Sequence, residues 1–195
     1  MPEFAADIPL SLYVHVPWCV KKCPYCDFNS HGLKDELPEN AYVDALLADL
    51  EAEYPALQSR AVESVFIGGG TPSLLSPEAV ARLIEGIGDR FEMTTGCEIT
   101  MEANPGTAEA RRFIGFRQAG ITRLSIGVQS FDDDLLVAIG RIHNGREARA
   151  AAEMAKAANF DSLNLDLMYA LPGQSVTQAL SDIESALELE PTHLS

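Results

Sequence analysis

Apolar residues along this chain switch repeatedly between a period of two and a period of three to four, and each switch marks a change from strand to helix. Leu12, Val14 and Val16 alternate with Ser11, Tyr13 and His15, which predicts a strand over 10–16. From about 39 to 58, Val43, Leu46, Leu47, Leu50 and Tyr54 share one stripe, as a helix requires. Residues 64–68 read as a short buried strand through Val65, Phe66 and Ile67. Ser76 with Pro77 marks a helix start, and Val80, Leu83, Ile84 and Ile87 continue at helical spacing. The remaining expectations are strands over 98–103, 123–129 and 162–168 and helices over 107–118, 132–139, 146–158 and 175–189, with Gly120 ending the first of these. A further strand is expected to begin near His193.

The order is β then α, repeated, which predicts an α/β fold with a parallel sheet of about five to six βα units. The strands carry a second message. Ile99, Met101, Leu124, Ile126, Val128, Leu163, Leu165 and Leu167 form their apolar side. Glu98, Thr100, Glu102, Ser125, Gln129, Asn164 and Asp166 form the other. A parallel sheet covered by helices on both faces is apolar on both. One polar face instead fits a curved sheet, a partial (β/α) barrel with a wet lumen. Sites in such barrels lie at the C-terminal strand ends, where Glu102, Gln129 and Asp166 fall. No linker or low-complexity tract divides the chain, so 1–195 is read as one domain.

Charge narrows the function. Fourteen basic against 29 acidic residues give a net charge of −15, which repels nucleic-acid backbones and anionic membrane surfaces. No apolar run has the length of a membrane span, and the first ten residues lack a secretory pattern. A cytosolic location is therefore expected, where clustered cysteines point to metal or redox chemistry rather than disulfides. The last six residues read as a turn entering a strand, so the chain is expected to be truncated before a C-terminal part.

Cys19, Cys23 and Cys26 stand in a C-x3-C-x2-C pattern directly after the first strand. Three thiolates in so short a span wrap one compact metal centre, and on a four-iron cube they leave one iron without a protein ligand. Lys21 and Lys22 stand beside them to offset thiolate charge. The alternative is a structural zinc site, which needs a fourth ligand such as Cys97 or His31. Gly68, Gly69 and Gly70, followed by Thr71 and Pro72, close the second strand. Such a loop lets backbone groups approach a ligand closely or makes a tight βα turn; it is no phosphate loop, since no Gly-Lys-Ser/Thr follows. Glu102 is a candidate ligand carboxylate, or a partner of Arg123 or Arg141 in a lumen ion pair. Gln129, Arg141 and Asp166 are either ligand contacts or lumen structure. His15 faces the expected lumen, whereas His31 and His143 are expected in solvated loops.

Cys19, Cys23, Tyr25 and Cys26 resemble the C-x3-C-x-aromatic-C motif of the radical S-adenosylmethionine (SAM) superfamily. The resemblance implies a partial or full (β/α) barrel, a [4Fe–4S] cluster on the three cysteines, and SAM chelated at the open iron. In that family, reductive cleavage of SAM yields methionine and a 5′-deoxyadenosyl radical. Segments 9–17, 68–73, 98–105, 124–131 and 164–172 further resemble the oxygen-independent coproporphyrinogen III oxidases and their haem-chaperone relatives. By that resemblance Tyr13, Gly69 and Glu102 hold the cluster-bound SAM. Tyr25, Gly70, Thr71, Gln129, Arg141 and Asp166 correspond to residues that hold a second SAM in the oxidase.

Two departures lean toward the chaperone. The oxidases carry a fourth cysteine two residues after the third, where this chain has Phe28. They also carry a long segment ahead of the first strand, where this chain has nine residues. The resemblance then implies a carrier that binds haem and delivers it to a haem-acceptor protein, its haem ligand lying in a later segment. The alternative is radical decarboxylation of coproporphyrinogen III.

Overall fold

The computed structural model describes residues 8–57 and 60–195. Gln58, the expected end of the first helix, and residues 1–7 lie outside the described residues. The elements run β1 (Leu10–Val16), β2 (Trp18–Cys19), β3 (His31–Gly32), α1 (Glu39–Leu57), β4 (Val62–Gly69), α2 (Pro77–Gly88), β5 (Met93–Ala103), α3 (Thr107–Ala110), α4 (Phe113–Gln118), β6 (Arg123–Gln129), α5 (Asp133–Ala138), α6 (Gly145–Ala157), β7 (Ser162–Leu167), α7 (Val176–Glu188) and β8 (His193–Leu194). Six strands form one sheet in the order β1-β4-β5-β6-β7-β8, every pair parallel. That order, each strand beside its successor in the sheet, is the wall of the partial barrel.

The period-two alternation decides which strand side is covered. Ile67, Met101, Leu124, Ile126 and Leu165 are buried in one core with Val80, Leu83 and Ile87 of α2 and Phe113 and Phe116 of α4. Each such side chain contributes about 1.5–3 kcal/mol when fully buried. Ala148, Ala151, Ala152 and Ala155 give α6 a small-residue stripe against the same core. Helix starts are fixed by side-chain caps: Ser76 accepts from Ala79 N, Asn144 and Glu147 form a capping box, and so do Ser175 and Gln178.

The opposite strand side carries hydrogen-bonded polar groups. Asn164 Nδ2 donates to Ser125 Oγ at 2.9 Å and to Asp166 Oδ1 at 2.8 Å, and Ser125 Oγ donates to Asp166 Oδ2 at 3.0 Å. This ladder satisfies buried Ser125 and Asn164 and holds Asp166 in place.

Three elements differ from expectation. The single helix expected over 107–118 is two short helices broken at Arg111 and Arg112. Arg112 Nη1 reaches the carbonyls of Ser73, Leu74 and Leu75 at 3.2, 2.9 and 3.3 Å, and this tie to a helical turn at Pro72–Leu74 accompanies the break. β5 starts at Met93, so Cys97 lies inside the strand rather than ahead of it. The two-residue strands β2 and β3 pair with each other and clip the ends of the cysteine loop together.

Asp182 of α7 is buried and accepts from Ser130 Oγ at 2.8 Å, Phe131 N at 2.7 Å and Gln174 Nε2 at 3.3 Å. It ties α7 to the segment just after β6. Asp182→Ala orphans these donors, and urea unfolding is expected to show a loss of roughly 3 kcal/mol.

Candidate functional site

A cavity of about 380 Å³ opens at the C-terminal ends of β4, β5, β6 and β7. It brings together Cys19, Cys23, Tyr25 and Cys26 from the loop after β1, and Gly69, Gly70 and Thr71 from the end of β4. Glu102, Gln129, Arg141 and Asp166 complete the candidates that border it. Residues scattered over nearly 150 positions of sequence converge because parallel strands deliver their C-terminal ends to one rim.

The cysteine loop is held from several sides. His31 N donates to Pro17 O at 2.7 Å and Leu33 N to Cys19 O at 2.8 Å. Lys22 Nζ donates to the carbonyls of Phe28 and Ser30 at 2.9 and 3.1 Å. His15 Nε2 bonds the Asn29 carbonyl at 2.7 Å, so this histidine pins the loop. Lys22 thus serves as a strut, and Lys21 is the lysine at the cavity. Cys19 is buried, and Cys26 Sγ lies 3.7 Å from Ser30 Oγ. Cys97 sits five residues before Glu102 in one strand, roughly 16 Å away along it. Burial, with Glu98 adding to it, pushes the Cys97 thiol up. The cysteine proposed as a zinc ligand therefore stands apart from the other three.

The glycine loop is shaped by close approach. Gly69 has φ +122°, and a Cβ there would come within 2.8 Å of the His15 ring and of Val16 O. Its N–H donates to Glu102 Oε2 at 3.1 Å. The Glu102 carboxyl is pushed up by burial, opposed by that N–H, with Asp166 raising it further and His15 lowering it. The ion pair weighed as the alternative does not form: Arg123 Nη1 is on Glu98 Oε1 at 3.3 Å, and Arg141 Nη2 is on Asn104 Oδ1 and Gly127 O, both at 2.7 Å. Glu102 thus faces the cavity with no arginine or lysine paired to it among the described residues, His15 being the basic side chain that acts on it.

Asn104 is the residue that sequence reasoning passed over. Its Nδ2 donates to Thr71 Oγ1 at 3.0 Å while its Oδ1 accepts from Arg141, so it links the ends of β4 and β5 to the turn between α5 and α6. Its place in the Glu-Ala-Asn-Pro segment was the available signal. Gln129 ends β6 with φ +68°, a conformation few non-glycine residues adopt. Tyr25 borders the cavity beside Cys23 and Arg141; burial raises its phenol, and Arg141 opposes the rise. Tyr13 alone of the candidates does not border the cavity. It is 61% exposed, with its hydroxyl 3.0 Å from His15 Nδ1 and its ring 6.2 Å from that of Phe66.

His143 corrects an expectation. It is buried rather than solvated, and its Nε2–H donates to Val128 O at 3.0 Å. Burial first, and Arg141 second, push its pKa from 6.5 down to about 4. The unfolded chain therefore takes up this proton before the folded one does, so the contribution is intact above about pH 6.5 and is lost as pH falls toward 4. In the metal-free chain, the stability difference between pH 7 and pH 5 is expected to exceed that of His143→Gln by about 2 kcal/mol. Equal pH dependence of the two in denaturant unfolding would contradict the assignment.

Among the described residues, no three His, Cys, Asp or Glu side chains converge on a single-ion position. The three cysteines instead line one cavity, a donor set that suits a body larger than one ion, such as a cube with thiolates at separate corners. The cavity also supplies the Glu102 carboxylate, a glycine backbone without side chains and a guanidinium, groups that suit an amino-acid head.

A βα half-barrel with a three-cysteine loop at its carboxyl rim defines a class, and the comparisons agree with it. Residues 13–186 match the family model of the Radical SAM superfamily, and the chain belongs to that superfamily. It is 54% identical over 187 residues to a protein named heme chaperone HemW from Escherichia coli (strain K12), covering 96% of this chain and 50% of the relative. The same name belongs to a Haemophilus influenzae relative, 52% identical over 191 residues. The chain spans about half the length of these curated relatives. Coproporphyrinogen III oxidase (HemN) from Escherichia coli is similar in structure, with a TM-score of 0.87 and 32% identity over 96% of this chain and 43% of the other. No described helix is long and apolar enough to cross a membrane.

Proposed function

We propose that this chain is the SAM- and cluster-binding core of a haem chaperone. The observation that carries the reading is the convergence of Cys19, Cys23 and Cys26 with Gly69, Gly70, Thr71 and Glu102 on one cavity. Cys19, Cys23 and Cys26 would hold a [4Fe–4S] cluster, and Gly69 and Glu102 the amino group of SAM beside it. When bound, the cluster supplies one electron to the sulfonium, and the cofactors carry the hard chemistry. The chain's own residues do the rest. Glu102 accepts hydrogen bonds from a cationic head, Gly69 and Gly70 admit it to the backbone, and the Asn104 bridge fixes Thr71 and Arg141. Tyr13, exposed beside His15, would meet a ligand only if that ligand extends beyond the cavity.

Haem as cargo and a haem-acceptor protein as partner rest on the names of the relatives and on Phe28. This ring stands where the oxidases carry a cysteine; it is 60% exposed and borders the cavity, an apolar surface suited to a flat macrocycle. The runner-up is decarboxylation of coproporphyrinogen III, which the structural likeness to the oxidase favours. The two separate in one anaerobic experiment with coproporphyrinogen III, SAM and dithionite. The chaperone reading expects no carbon dioxide, together with a Soret shift on haem titration of a polypeptide of the relatives' full length. Carbon dioxide in step with substrate loss would overturn it.

A further inference from the structure

Arg141 reaches the site from the turn between α5 and α6, 118 positions after Cys23. Its Nη1 donates to Cys23 Sγ at 3.7 Å, a reach normal for sulfur acceptors. Two bonds of 2.7 Å from Nη2, to Asn104 Oδ1 and Gly127 O, fix the plane of the guanidinium. The Tyr25 phenol lies beside both Cys23 and Arg141 at the same cavity. The approach is built into the backbone. Gly140 has φ +74°, and a Cβ there would come within 2.7 Å of Pro24 Cδ, so the segment carrying Arg141 seats directly on the residue after Cys23. Arg141 Nε is buried with no hydrogen-bond partner. A half-buried guanidinium with one donor unsatisfied detracts from stability, so stability alone does not account for its place against the cysteine sulfur.

We propose that Arg141 tunes the reduction potential of the cluster that Cys23 would ligate, by donating an N–H···S hydrogen bond to that sulfur. The inference rests on the cluster reading above. A donor on a ligand sulfur withdraws electron density from it, and a fixed positive charge nearby favours the more negative reduced state. Both effects raise the potential. In the step concerned, one electron passes from a low-potential one-electron donor to the cluster; the donor is oxidised, the cluster reduced, and no proton moves. Arg141 thus makes reduction easier, apart from any contact with a bound ligand.

The test is an EPR-monitored dithionite titration of anaerobically reconstituted wild type, Arg141→Lys and Arg141→Met without SAM. Potentials are read per cluster, with iron and sulfide counted in each sample and folding matched by circular dichroism. Arg141→Met is expected to shift the reduction equilibrium about tenfold toward the oxidised state, 59 mV lower for one electron. Arg141→Lys keeps the charge but not the fork and is expected between the two. Wild-type potential in both variants overturns the inference while leaving the cluster reading intact. Absence of iron and sulfide from reconstituted wild type overturns both. Should the methionine variant take up no cluster, the lysine variant decides: a lowered potential supports the inference, and an unchanged one overturns it.

Discussion

Cys26→Ser is expected to bind iron and sulfide at least tenfold more weakly than wild type after anaerobic reconstitution. Serine oxygen is harder and far less acidic than a thiol, so it does not replace a thiolate on iron. The loop leaves little room for rescue. Lys22 fixes its far side through the carbonyls of Phe28 and Ser30, and the β2–β3 clip fixes its ends. No other cysteine is at hand, since Cys97 lies well down β5. Cys19→Ser and Cys23→Ser are expected to behave alike, and Cys97→Ser to bind as wild type does. Iron and sulfide analysis checks all four. Full metal content in Cys26→Ser, or loss in Cys97→Ser, would remove the cysteine triad from the account.

Glu102→Ala is expected to cost the reconstituted protein about 10- to 150-fold in SAM affinity, the loss of one hydrogen bond to a charged group. The carboxylate faces the cavity with no arginine or lysine paired to it among the described residues, and its Oε2 orients the Gly69 N–H. Alanine removes the acceptor and frees the glycine loop together. Glu102→Gln keeps an acceptor but no charge, and an intermediate loss is expected. The pH dependence has a fixed sign. Burial holds this carboxyl above the ordinary glutamate range, so affinity for a cationic head falls as pH drops through that raised value. A surface carboxylate would lose it only at lower pH. Equilibrium binding of SAM to the three proteins at several pH values checks both statements. Equal affinities would place the SAM head elsewhere.

The barrel wall was legible because alternation has an unambiguous period. Ile99 and Met101, Leu124 and Ile126, Leu163 and Leu165 all face the core, and Glu102, Ser125, Asn164 and Asp166 all face the other way. The convergence of the three cysteines was legible because they stand within one short loop. What stayed hidden depends on distant pairs. The break at Arg112 accompanies its reach to carbonyls of another segment. β2 and β3, two residues each, are too short to show any period. The Asn104 bridge is a matter of side-chain direction, and His143 is buried by a turn whose own sequence is polar. Tyr13 was assigned by resemblance alone, and its ring is exposed beside His15.

The most direct measurement is the EPR spectrum of the anaerobically reconstituted, dithionite-reduced protein, recorded with and without SAM. A signal typical of a reduced [4Fe–4S] centre, with g-values that change when SAM is added, is the expected result, because a fourth iron without a protein ligand is free to take the nucleotide's amino-acid head. A signal indifferent to SAM, or bound zinc in place of iron and sulfide, would contradict the account.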